Sequence, residues 1–532
     1  MFNRLFNSQT KTITFAAFLL AVSALVSRFL GLLRDRLLAG HFGAGQELDA
    51  YFLAFRIPDF IYGILIMGGV SVIFLPVFAE YFKKSEKEGW YLANVVLNCF
   101  LVLLIILCGI LAILTPWLIK LIGPGFDPSQ RDLAISLTRI MFLSPIFFGL
   151  SSIFSGILHY FNRFLAYSIA PILYNLGIIF GIIFFVPIFG VMGLVYGVVL
   201  GAFSHWVIQI PAAKASGFRY IPVFNFKYPG LLKIFKFMTW RVIGASVYHI
   251  NLIVITAIAS TLVIGSIAVF NFANNLSHFP IGIIGASFAM AAFPALSRAW
   301  ADGAKEEFLE NFSSTFRQIL FLVIPISLLI FLLRVEIVQL ILGTGRFGWP
   351  EVQLTSASLG LFSLGIFALT LTPLLLRSFF SLQDVKTPTI IGLIYMVLTI
   401  VTSLLFVWLL APHQNLVGGN FFQEFVAKVL NLSNLENIQV IGLPLAISLS
   451  AIVYFSLLLF FLQKKMGDIR LGEIEHSLRK IIFASVLMVL AVYLLYPQVI
   501  FAALGGISIY LLATFFLKSP EIQTLKSRIF KK

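Results

Sequence analysis

The chain has 532 residues, of which 60% are hydrophobic and 11% are charged. Its mean hydropathy is +1.01. A soluble protein carries roughly 25% charged residues, so this composition excludes a soluble enzyme and indicates a polytopic membrane protein. The formal net charge is +15, and its distribution along the chain decides what that excess means.

The positive charges gather in alternate loops between the apolar segments, and the intervening loops hold few. The basic loops and tail contain Lys83, Lys84, Lys87, Lys214, Arg219, Lys227, Lys233, Lys236, Arg298, Lys305, Arg317, Arg377, Lys386, Lys464, Lys465, Arg470, Arg479, Lys480 and residues 518–532. This is the positive-inside pattern of membrane proteins. We therefore expect a multi-pass protein with both termini in the cytoplasm, and no binding of nucleic acid.

Fourteen apolar segments in chain order approach or exceed the length of about 20 residues that a helix needs to cross a bilayer. They cover 13–38, 50–80, 92–121, 133–159, 165–186, 189–211, 236–262, 265–297, 317–342, 355–380, 388–410, 438–462, 480–496 and 498–517. An even number agrees with both termini on one side. The predicted fold class is an all-α polytopic membrane protein with about 14 transmembrane helices.

The first twelve segments divide into two similar sets of six. Segment 51–80 is similar to segment 269–298 at an offset that places Pro76 on Pro294. Two such six-helix lobes imply pseudo-two-fold symmetry and a site between them, whereas the alternative is that these helices merely share small-residue packing motifs. The predicted organisation is an N-terminal lobe over 1–213, a cytoplasmic basic connector over 214–235, a C-terminal lobe over 236–463, and two additional helices with a basic tail over 464–532.

The connector alternates basic and aromatic residues. The stretch from Lys214 to Arg241 suits an amphipathic helix lying on anionic membrane lipids. A solvated basic loop is equally compatible with this pattern. The segment from Pro412 to Gln439 is the longest predicted external excursion, and the sequence assigns it no role.

Charge within the first apolar segment is the strongest functional signal. An arginine within a membrane span costs about 2.5–3.5 kcal/mol on insertion scales, so it is normally turned toward a cavity or a partner. Arg28 and Asp35 are seven residues apart and share a helical face, while Arg34 lies about 120° round from Arg28. The fixed fork of arginine suits phosphate oxygens.

The second apolar segment continues this pattern with Asp49 at its start and Arg56 two turns later. On the functional interpretation, Arg28, Arg34 and Arg56 bind an anion, and the two aspartates, Asp35 and Asp49, orient the arginines or act in a gate. The alternative is that Arg34, Asp35 and Arg36 lie at the water interface and form ordinary surface ion pairs. For Arg36 this alternative is favoured.

Further candidates are small or polar residues in the second, seventh and eighth segments. Ser71, with the glycines before it, thins the second segment and permits bending. His249 and Asn275 are candidates to line the cavity from the other lobe; for His249 the alternative is a satisfied polar residue within a helix bundle. The seven histidines are scattered, and there is no HExxH motif or P-loop, so we predict no catalytic site, no metal site and no ATP hydrolysis.

Six stretches of this sequence together carry a family resemblance. They are VSRFLGLLRDRLLAGHFGAGQELDAYFLAFRIPD at 26–59, FLPVFAEY at 74–81, ASVYHINL at 245–252, FPIGIIGASFAMAAFPALSR at 279–298, GTGRFG at 343–348 and FFSLQDVKTP at 379–388. In this order they resemble the MurJ/MviN family of lipid II flippases. The resemblance implies an exporter of the multidrug/oligosaccharidyl-lipid/polysaccharide superfamily with a cationic central cavity. Its last two helices would help form a groove for the lipid tail.

The resemblance also implies the substrate and the site. The substrate would be undecaprenyl-pyrophosphate carrying the peptidoglycan disaccharide-peptide, moved across the bacterial cytoplasmic membrane with a role in cell-wall biogenesis and cell shape. Arg28, Arg34 and Asp35 fall on the family's first-span positions, and Asp49 and Arg56 on its second-span motif. Cell-wall synthesis machinery is an expected partner.

This chain departs from the family pattern in both lobes. The family's arginines in the second span are replaced by Tyr62 and Gly63, and its Glu-Gly-Ala before Ser71 by Met67, Gly68 and Gly69. The arginine-containing motif of the eighth span is replaced by Ala-Asn-Asn-Leu at 273–276.

The leading interpretation is a lipid II flippase working by alternating access, without a cofactor. A coupling cation (Na⁺ or H⁺) or the membrane potential, about 2.3 kcal/mol per charge per 100 mV, would supply any bias. One alternative, favoured by the missing second-lobe arginine, is a flippase for another polyprenyl-diphosphate-linked glycan. Another is a cation-coupled multidrug exporter, a class that should prefer acidic cavity residues.

Overall fold

The computed structural model describes residues 13–412, 421–432, 434–435, 437–496 and 498–522, without the side chains of 13–18, 67–72, 239–241, 243 and 245. Within these ranges the secondary structure is helical, with no β-strand. The chain separates into two compact units. Unit 1 runs to Ala268 and includes Thr344–Phe347; unit 2 holds the remainder.

The helices of the first half carry the predicted segments one to seven. They are α1 (Ile13–Phe42), α2 (Gln46–Ala54), α3 (Arg56–Ile61), a π-helical segment (Tyr62–Val70), α4 (Ser71–Lys84), α5 (Glu86–Ile122), α6 (Pro128–Met141), α7 (Leu143–Tyr160), α8 (Phe164–Phe180), a π-helical segment (Gly181–Phe185), α9 (Val186–Phe189), α10 (Met192–Val207), α11 (Ile210–Ala215) and α12 (Pro229–Ser260).

The second half continues in the same manner. Its helices are α13 (Ser266–Pro280), a π-helical segment (Ile281–Gly285), α14 (Ala286–Ala301), α15 (Lys305–Leu332), α16 (Arg334–Leu342), α17 (Trp349–Ser381), α18 (Lys386–Leu409), α19 (Phe421–Leu430), a 3₁₀ turn (Gln439–Ile441), α20 (Gly442–Met466), α21 (Leu471–Leu495) and α22 (Val499–Phe516).

The predicted fold class is confirmed: this is an all-α polytopic membrane fold. By length and composition, 11 helices among the described residues are apolar enough to cross a membrane. The other three predicted segments coincide with α1, with α2–α4 and with α12. The count of fourteen spans stays a prediction, as do the predicted lobe boundaries.

The two repeat segments share a local irregularity. The repeat aligns Pro76 with Pro294, an offset of 294 − 76 = 218 residues. At this offset the π-helical segment Ile281–Gly285 of unit 2 falls within the π-helical segment Tyr62–Val70 of unit 1. Single π-helical turns are rare, and they frequently mark functional positions in helices. A matching irregularity is more specific than shared small residues, so it supports the internal repeat.

The basic stretch from Lys214 to Arg241 is not one continuous helix, because the residues between Ala215 and Pro229 are not helical. After α11 the chain has no regular secondary structure until α12 begins at Pro229. Two amides of α5 hold this stretch: Asn94 pairs with the backbone of Arg219 and Ile221, at 3.0 and 2.8 Å, and Asn98 Nδ2 donates to Ile221 O at 2.8 Å. Side-chain amides that satisfy the backbone of an irregular segment replace the hydrogen bonds a helix would make.

The GTGRFG motif belongs structurally to unit 1. The Arg346 amide donates to Gly40 O at the end of α1 over 2.9 Å. Gly43 and Gly345 adopt φ of +64° and +55°, and a Cβ on Gly345 would lie 2.2 Å from Gly40 O. Glycine is required here both by the left-handed backbone and by the close approach.

Unit 1 contains a tight glycine contact between α8 and α10. A Cβ built on Gly177 would come 2.4 Å from Gly201 Cα, and one on Gly197 would come 2.8 Å from Gly181 Cα. Small residues that let helix backbones touch are a main source of helix packing in membranes. This contact positions α8, which carries part of the candidate site.

In unit 2 the last helix pair is fastened to α15 by a hydrogen bond and by ion pairs one turn apart. Within the apolar part, the Tyr510 hydroxyl of α22 donates to Phe321 O at 2.7 Å. At the basic end, Arg317 lies 3.3 Å from Glu473 and 3.8 Å from Glu521, whose side chain is 3% exposed. These contacts make α21 and α22 part of the packed unit.

Candidate functional site

The first polar cluster of unit 1 is centred on Arg34 of α1. Its Nη2 and Nε donate to Asp35 Oδ1 at 2.8 and 3.0 Å, and its Nη1 donates to Asn175 Oδ1 of α8 at 3.4 Å. The Asp35 side chain is 5% exposed and that of Arg34 is 24% exposed. The pair is therefore partly enclosed, and the Arg34 side chain is more exposed than the carboxylate that it contacts.

Asn175 fixes this cluster to the helix contact. Its Nδ2 donates to Ser27 O, Ser27 Oγ and Pro171 O at 3.3, 3.1 and 3.2 Å. With all its donors used on α1 and α8, its Oδ1 faces Arg34. The amide orients one guanidinium nitrogen, so α8 sets the direction in which Arg34 points.

The second cluster lies where α3 meets α12. Arg56 is 8% exposed, and its Nε donates to Thr256 Oγ1 at 2.6 Å. The Asp59 carboxylate, one turn along α3, interacts electrostatically with both Arg56 and Arg34. Asp59 therefore links the arginine clusters of α1 and α3 into one charged network.

Arg28 lies two turns before Asp35 on α1, about 10 Å along the helix axis. Its side chain is half-buried. The exposed apolar face of α1, formed by Val22, Leu25, Val26, Phe29 and Leu33, is centred about 120° round the helix from Arg28. Arg28 is thus on the side of α1 that bears Asp35, at the edge of the exposed face.

Asp49 has a different environment from the arginines. Its two carboxylate oxygens accept the backbone amides of Gly265 and Ala268, at 2.7 and 2.8 Å, and its side chain is buried at 3% exposure. A carboxylate at a helix N-terminus satisfies otherwise unpaired amides and complements the helix dipole. Asp49 thereby ties α2 to the start of α13, within unit 1.

Gly63 replaces a residue that is usually arginine in the family, and a contact with α12 explains why a glycine is needed there. A Cβ on Gly63 would lie 1.7 Å from His249 Nε2, so the imidazole occupies the space that any larger residue at position 63 would need. His249 also interacts electrostatically with Arg56. An imidazole from the seventh segment thus stands beside the second cluster in unit 1.

The remaining predicted residues are not part of these clusters as described. Asn275 is half-buried on α13 and belongs to unit 2. Ser71 begins α4, and its side chain lies outside the described ones. Sequence reasoning missed Asn175 and Thr256 as partners of the arginines. The one signal available was that each is a lone polar residue within a strongly apolar run.

Chemically, the clusters can hold an anion. Arg28, Arg34 and Arg56 carry three positive charges. Asp35 and Asp59 carry two negative charges, so one formal positive charge is in excess. Arginine donors in a partly desolvated setting favour phosphate or carboxylate oxygens. No group of three or more His, Cys, Asp or Glu that could hold a metal ion occurs in the part of the chain that the structure describes.

The fold is that of a class of multi-helix membrane transporters. A solved structure described as an inward-facing multidrug resistance MATE family transporter of the MOP superfamily superposes with a TM-score of 0.63 at 17% identity, covering 83% of this chain and 96% of that one. At this identity the similarity concerns the fold alone.

A narrower family is defined by sequence. The family model for the lipid II flippase MurJ matches residues 38–414. A probable lipid II flippase MurJ of Buchnera aphidicola subsp. Schizaphis graminum is 32% identical over 385 residues, 71% of this chain and 74% of the relative. That of Vibrio cholerae is 30% identical over 412 residues, 75% of this chain and 78% of the relative.

A solved structure of a lipid II flippase MurJ in an inward closed conformation has a TM-score of 0.75 and 25% identity, covering 94% of this chain and 99% of that one. The chain therefore belongs to the MurJ family of lipid II flippases. Both the family and the fold class predicted from the sequence are confirmed.

Proposed function

We propose that this protein is a flippase that moves lipid II from the inner to the outer leaflet of the bacterial cytoplasmic membrane, acting as a transporter and not as an enzyme. The observation that carries this proposal is that Arg34 of unit 1 is held in a fixed direction by Asp35 and Asn175, in a chain that belongs to a flippase family. A fixed and partly exposed guanidinium suits the diphosphate of a polyprenyl-linked precursor.

The diphosphate would bind by exchange rather than by filling an empty cation site. Arg34 is held by Asp35 and Asn175, so an incoming phosphate oxygen replaces part of the Asp35 contact. The planar fork of arginine can serve two acceptors at once. Asp35 then orients Arg34 before the substrate arrives and keeps the guanidinium from collapsing onto other acceptors.

Arg28 supports entry on the same reasoning. It lies about 10 Å from the Arg34 cluster along α1, so a diphosphate travelling along this face meets Arg28 and the Arg34 cluster in succession. The glycan-peptide headgroup would cross with it in a hydrated cavity while the polyprenyl tail stays in lipid. The groove for that tail is assigned to α21 and α22 by resemblance.

Asp49, in the first turn of α2, is proposed as a gate residue. Its bonds to the amides of Gly265 and Ala268 hold the start of α13 against α2. Alternating access requires that some contacts on one side of the membrane exist in only one of two states. A carboxylate that accepts backbone amides can release them to water at modest cost, which suits such a contact.

The energy source is proposed to be a coupling cation or the membrane potential. A substrate with two negative charges moving outward is driven by an inside-negative potential, at about 2.3 kcal/mol per charge per 100 mV. A coupling cation, Na⁺ or H⁺, is the alternative source.

The orientation is proposed to follow the basic loops, with both termini in the cytoplasm. The connector then lies at the inner surface, and its residues Arg219, Tyr220, Phe224 and Lys227 are exposed. Basic residues interleaved with aromatic ones suit anionic lipid headgroups. Cell-wall synthesis machinery is the proposed protein partner, since it consumes the product.

Depletion of the protein in its host, followed by mass spectrometry of lipid-linked precursors, tests the function. Accumulation of lipid II is expected. The second candidate, a flippase for another polyprenyl-diphosphate-linked glycan, is favoured by Asn275 standing where the family has a more basic motif; accumulation of that other precursor with unchanged lipid II would overturn the main proposal. A cation-coupled multidrug exporter would instead change drug sensitivity and leave both precursors unchanged.

A further inference from the structure

The short helix α19 lies in the external segment to which the sequence assigned no role. At about 100° per residue, its apolar side chains form a continuous arc of about half the helix circumference, and its charged residues, Glu424 and Lys428, lie on the other half. This arc contains Phe421, Phe425, Val429, Phe422, Val426 and Leu430. An apolar arc of this width exceeds what one packing contact covers.

Half of the arc packs on the rest of unit 2, to which α19 itself belongs. Val426 and Leu430 are buried at 8% and 6% exposure. The Phe422 ring stacks on Phe406 of α18, with centroids 6.1 Å apart. These three residues fix α19 beside the last turn of α18.

The other half of the arc is uncovered. Phe421, Phe425 and Val429 are 79%, 55% and 54% exposed, and they follow one another at intervals of four residues. The rings of Phe421 and Phe425 stack, with centroids 6.3 Å apart. The three side chains therefore form a ridge one helical face wide, which we call the α19 ridge.

The neighbouring helix shows at which depth this ridge lies. α18 is an apolar span whose exposed row runs along one face and ends at Trp408, which is 57% exposed. The row consists of Ile390, Leu393, Ile394, Val397, Val401, Leu404, Leu405 and Trp408. Tryptophan concentrates at the boundary between hydrocarbon and headgroups, and Phe406, which holds α19, is two residues before it.

We propose that α19 is a membrane-interface helix that inserts the α19 ridge into the bilayer at the end of α18, with Glu424 and Lys428 facing water. A helix with one apolar face and one charged face lies in the interface plane, with its apolar face at the boundary between headgroups and acyl chains. Given the orientation proposed above, the bilayer surface is that of the outer leaflet. The partner is thus the lipid surface, and α19 anchors unit 2 to it.

The test measures depth by spin labelling. The two cysteines of the chain, Cys99 and Cys108, are free and buried; alanine replaces both in a background that must retain transport. A nitroxide is then attached singly through Phe425→Cys or Val429→Cys, with Glu424→Cys and Lys428→Cys as matched controls on the same helix. Full-length protein in lipid nanodiscs is exposed to oxygen, which enters hydrocarbon, and to a water-soluble nickel chelate.

The proposal predicts that the ratio of oxygen to nickel collisions is several-fold higher at positions 425 and 429 than at 424 and 428. Equal nickel collisions at all four positions would overturn it, because the ridge would then face water. Low collisions with both reagents at 425 and 429 would also overturn it, because the ridge would be covered by protein, such as a second copy. None of these outcomes depends on which lipid-linked precursor is transported.

Discussion

Arg34 and Arg56 of unit 1 donate hydrogen bonds to side chains of the protein. Arg34 is shared between a carboxylate on its own helix and an amide on α8, and Arg56 is held by a hydroxyl of α12. Removing charge from water is costly unless hydrogen-bond partners are supplied. The contacts therefore both stabilise these cations in the membrane and fix where their remaining donors point.

Replacing Arg34 with lysine tests the importance of its fork. A lysine ammonium keeps the charge but cannot present two nitrogens to Asp35 and a third to Asn175 with fixed geometry. We expect Arg34→Lys to lower transport at least about tenfold, equivalent to ~1.4 kcal/mol, with normal membrane insertion. Transport is measured with a labelled lipid-linked precursor in proteoliposomes.

The matched control is Arg36→Lys, two residues further along α1, which the account leaves outside the anion-binding residues. It should transport close to the wild-type rate. If the two variants lost transport equally, the special role of Arg34 would be wrong.

The contact between Gly63 and His249 makes a second test at the residue scale. Gly63→Ala places a methyl group 1.7 Å from the present position of His249 Nε2, so the ring must move or the helices must separate. Overpacking of this kind costs about 1–3 kcal/mol. We expect a lower thermal midpoint and slower transport.

Two companion variants make this test specific. Gly63→Ala combined with His249→Ala should recover the thermal midpoint, because the clashing ring is gone. Gly244→Ala on α12 should leave it unchanged, since a Cβ there meets nothing within 4 Å. A Gly63→Ala protein as stable as the Gly244→Ala protein would refute the contact.

At the scale of elements, the glycine contact between α8 and α10 places the helix that carries Asn175. Gly197→Ala would put a methyl group 2.8 Å from Gly181 Cα, and backbone on both sides leaves little room to yield. We expect a loss of about 1–3 kcal/mol of stability, seen as a lower thermal midpoint in detergent. Gly109→Ala on α5, where nothing lies within 4 Å, is the control and should be neutral.

The sequence predicted the elements best where apolar runs are long. Segments such as 92–121 and 388–410 fall on α5 and α18 because an uninterrupted apolar run in a membrane must satisfy its backbone internally, which a helix does. The connector was not predictable in this way. Its path depends on Asn94 and Asn98 of a helix more than 100 residues earlier, and such tertiary hydrogen bonds leave no local pattern.

The candidate site was predictable only in part, for a related reason. A charged residue in an apolar segment is visible in the sequence, so Arg28, Arg34, Asp35 and Arg56 could be selected. Asp35 and Asp59 are close to their arginines in the sequence, but the asparagine and threonine partners are on distant helices. Nothing in the local sequence distinguishes Asn175 from any other polar residue. The pairing of Gly63 with His249 likewise becomes visible only when the two helices are brought together.

At the scale of the whole molecule, the two units differ in chemistry although they share a repeat. Unit 1 holds Arg34 and Arg56. In the repeat, the part of α13 that aligns with the segment of Arg56 carries Asn274 and Asn275 instead. The paired π-helical segments show that backbone geometry is retained where side-chain charge is not. The proposed function therefore assigns anion binding to unit 1.

The most direct test of this account is transport of a labelled diphosphate-linked precursor by Arg28→Ala protein in liposomes, with insertion verified by protease protection. The account predicts that Arg28→Ala abolishes transport and that Arg28→Lys restores only part of it, because a point charge lacks the planar fork. Wild-type transport by a correctly inserted Arg28→Ala protein would contradict the account.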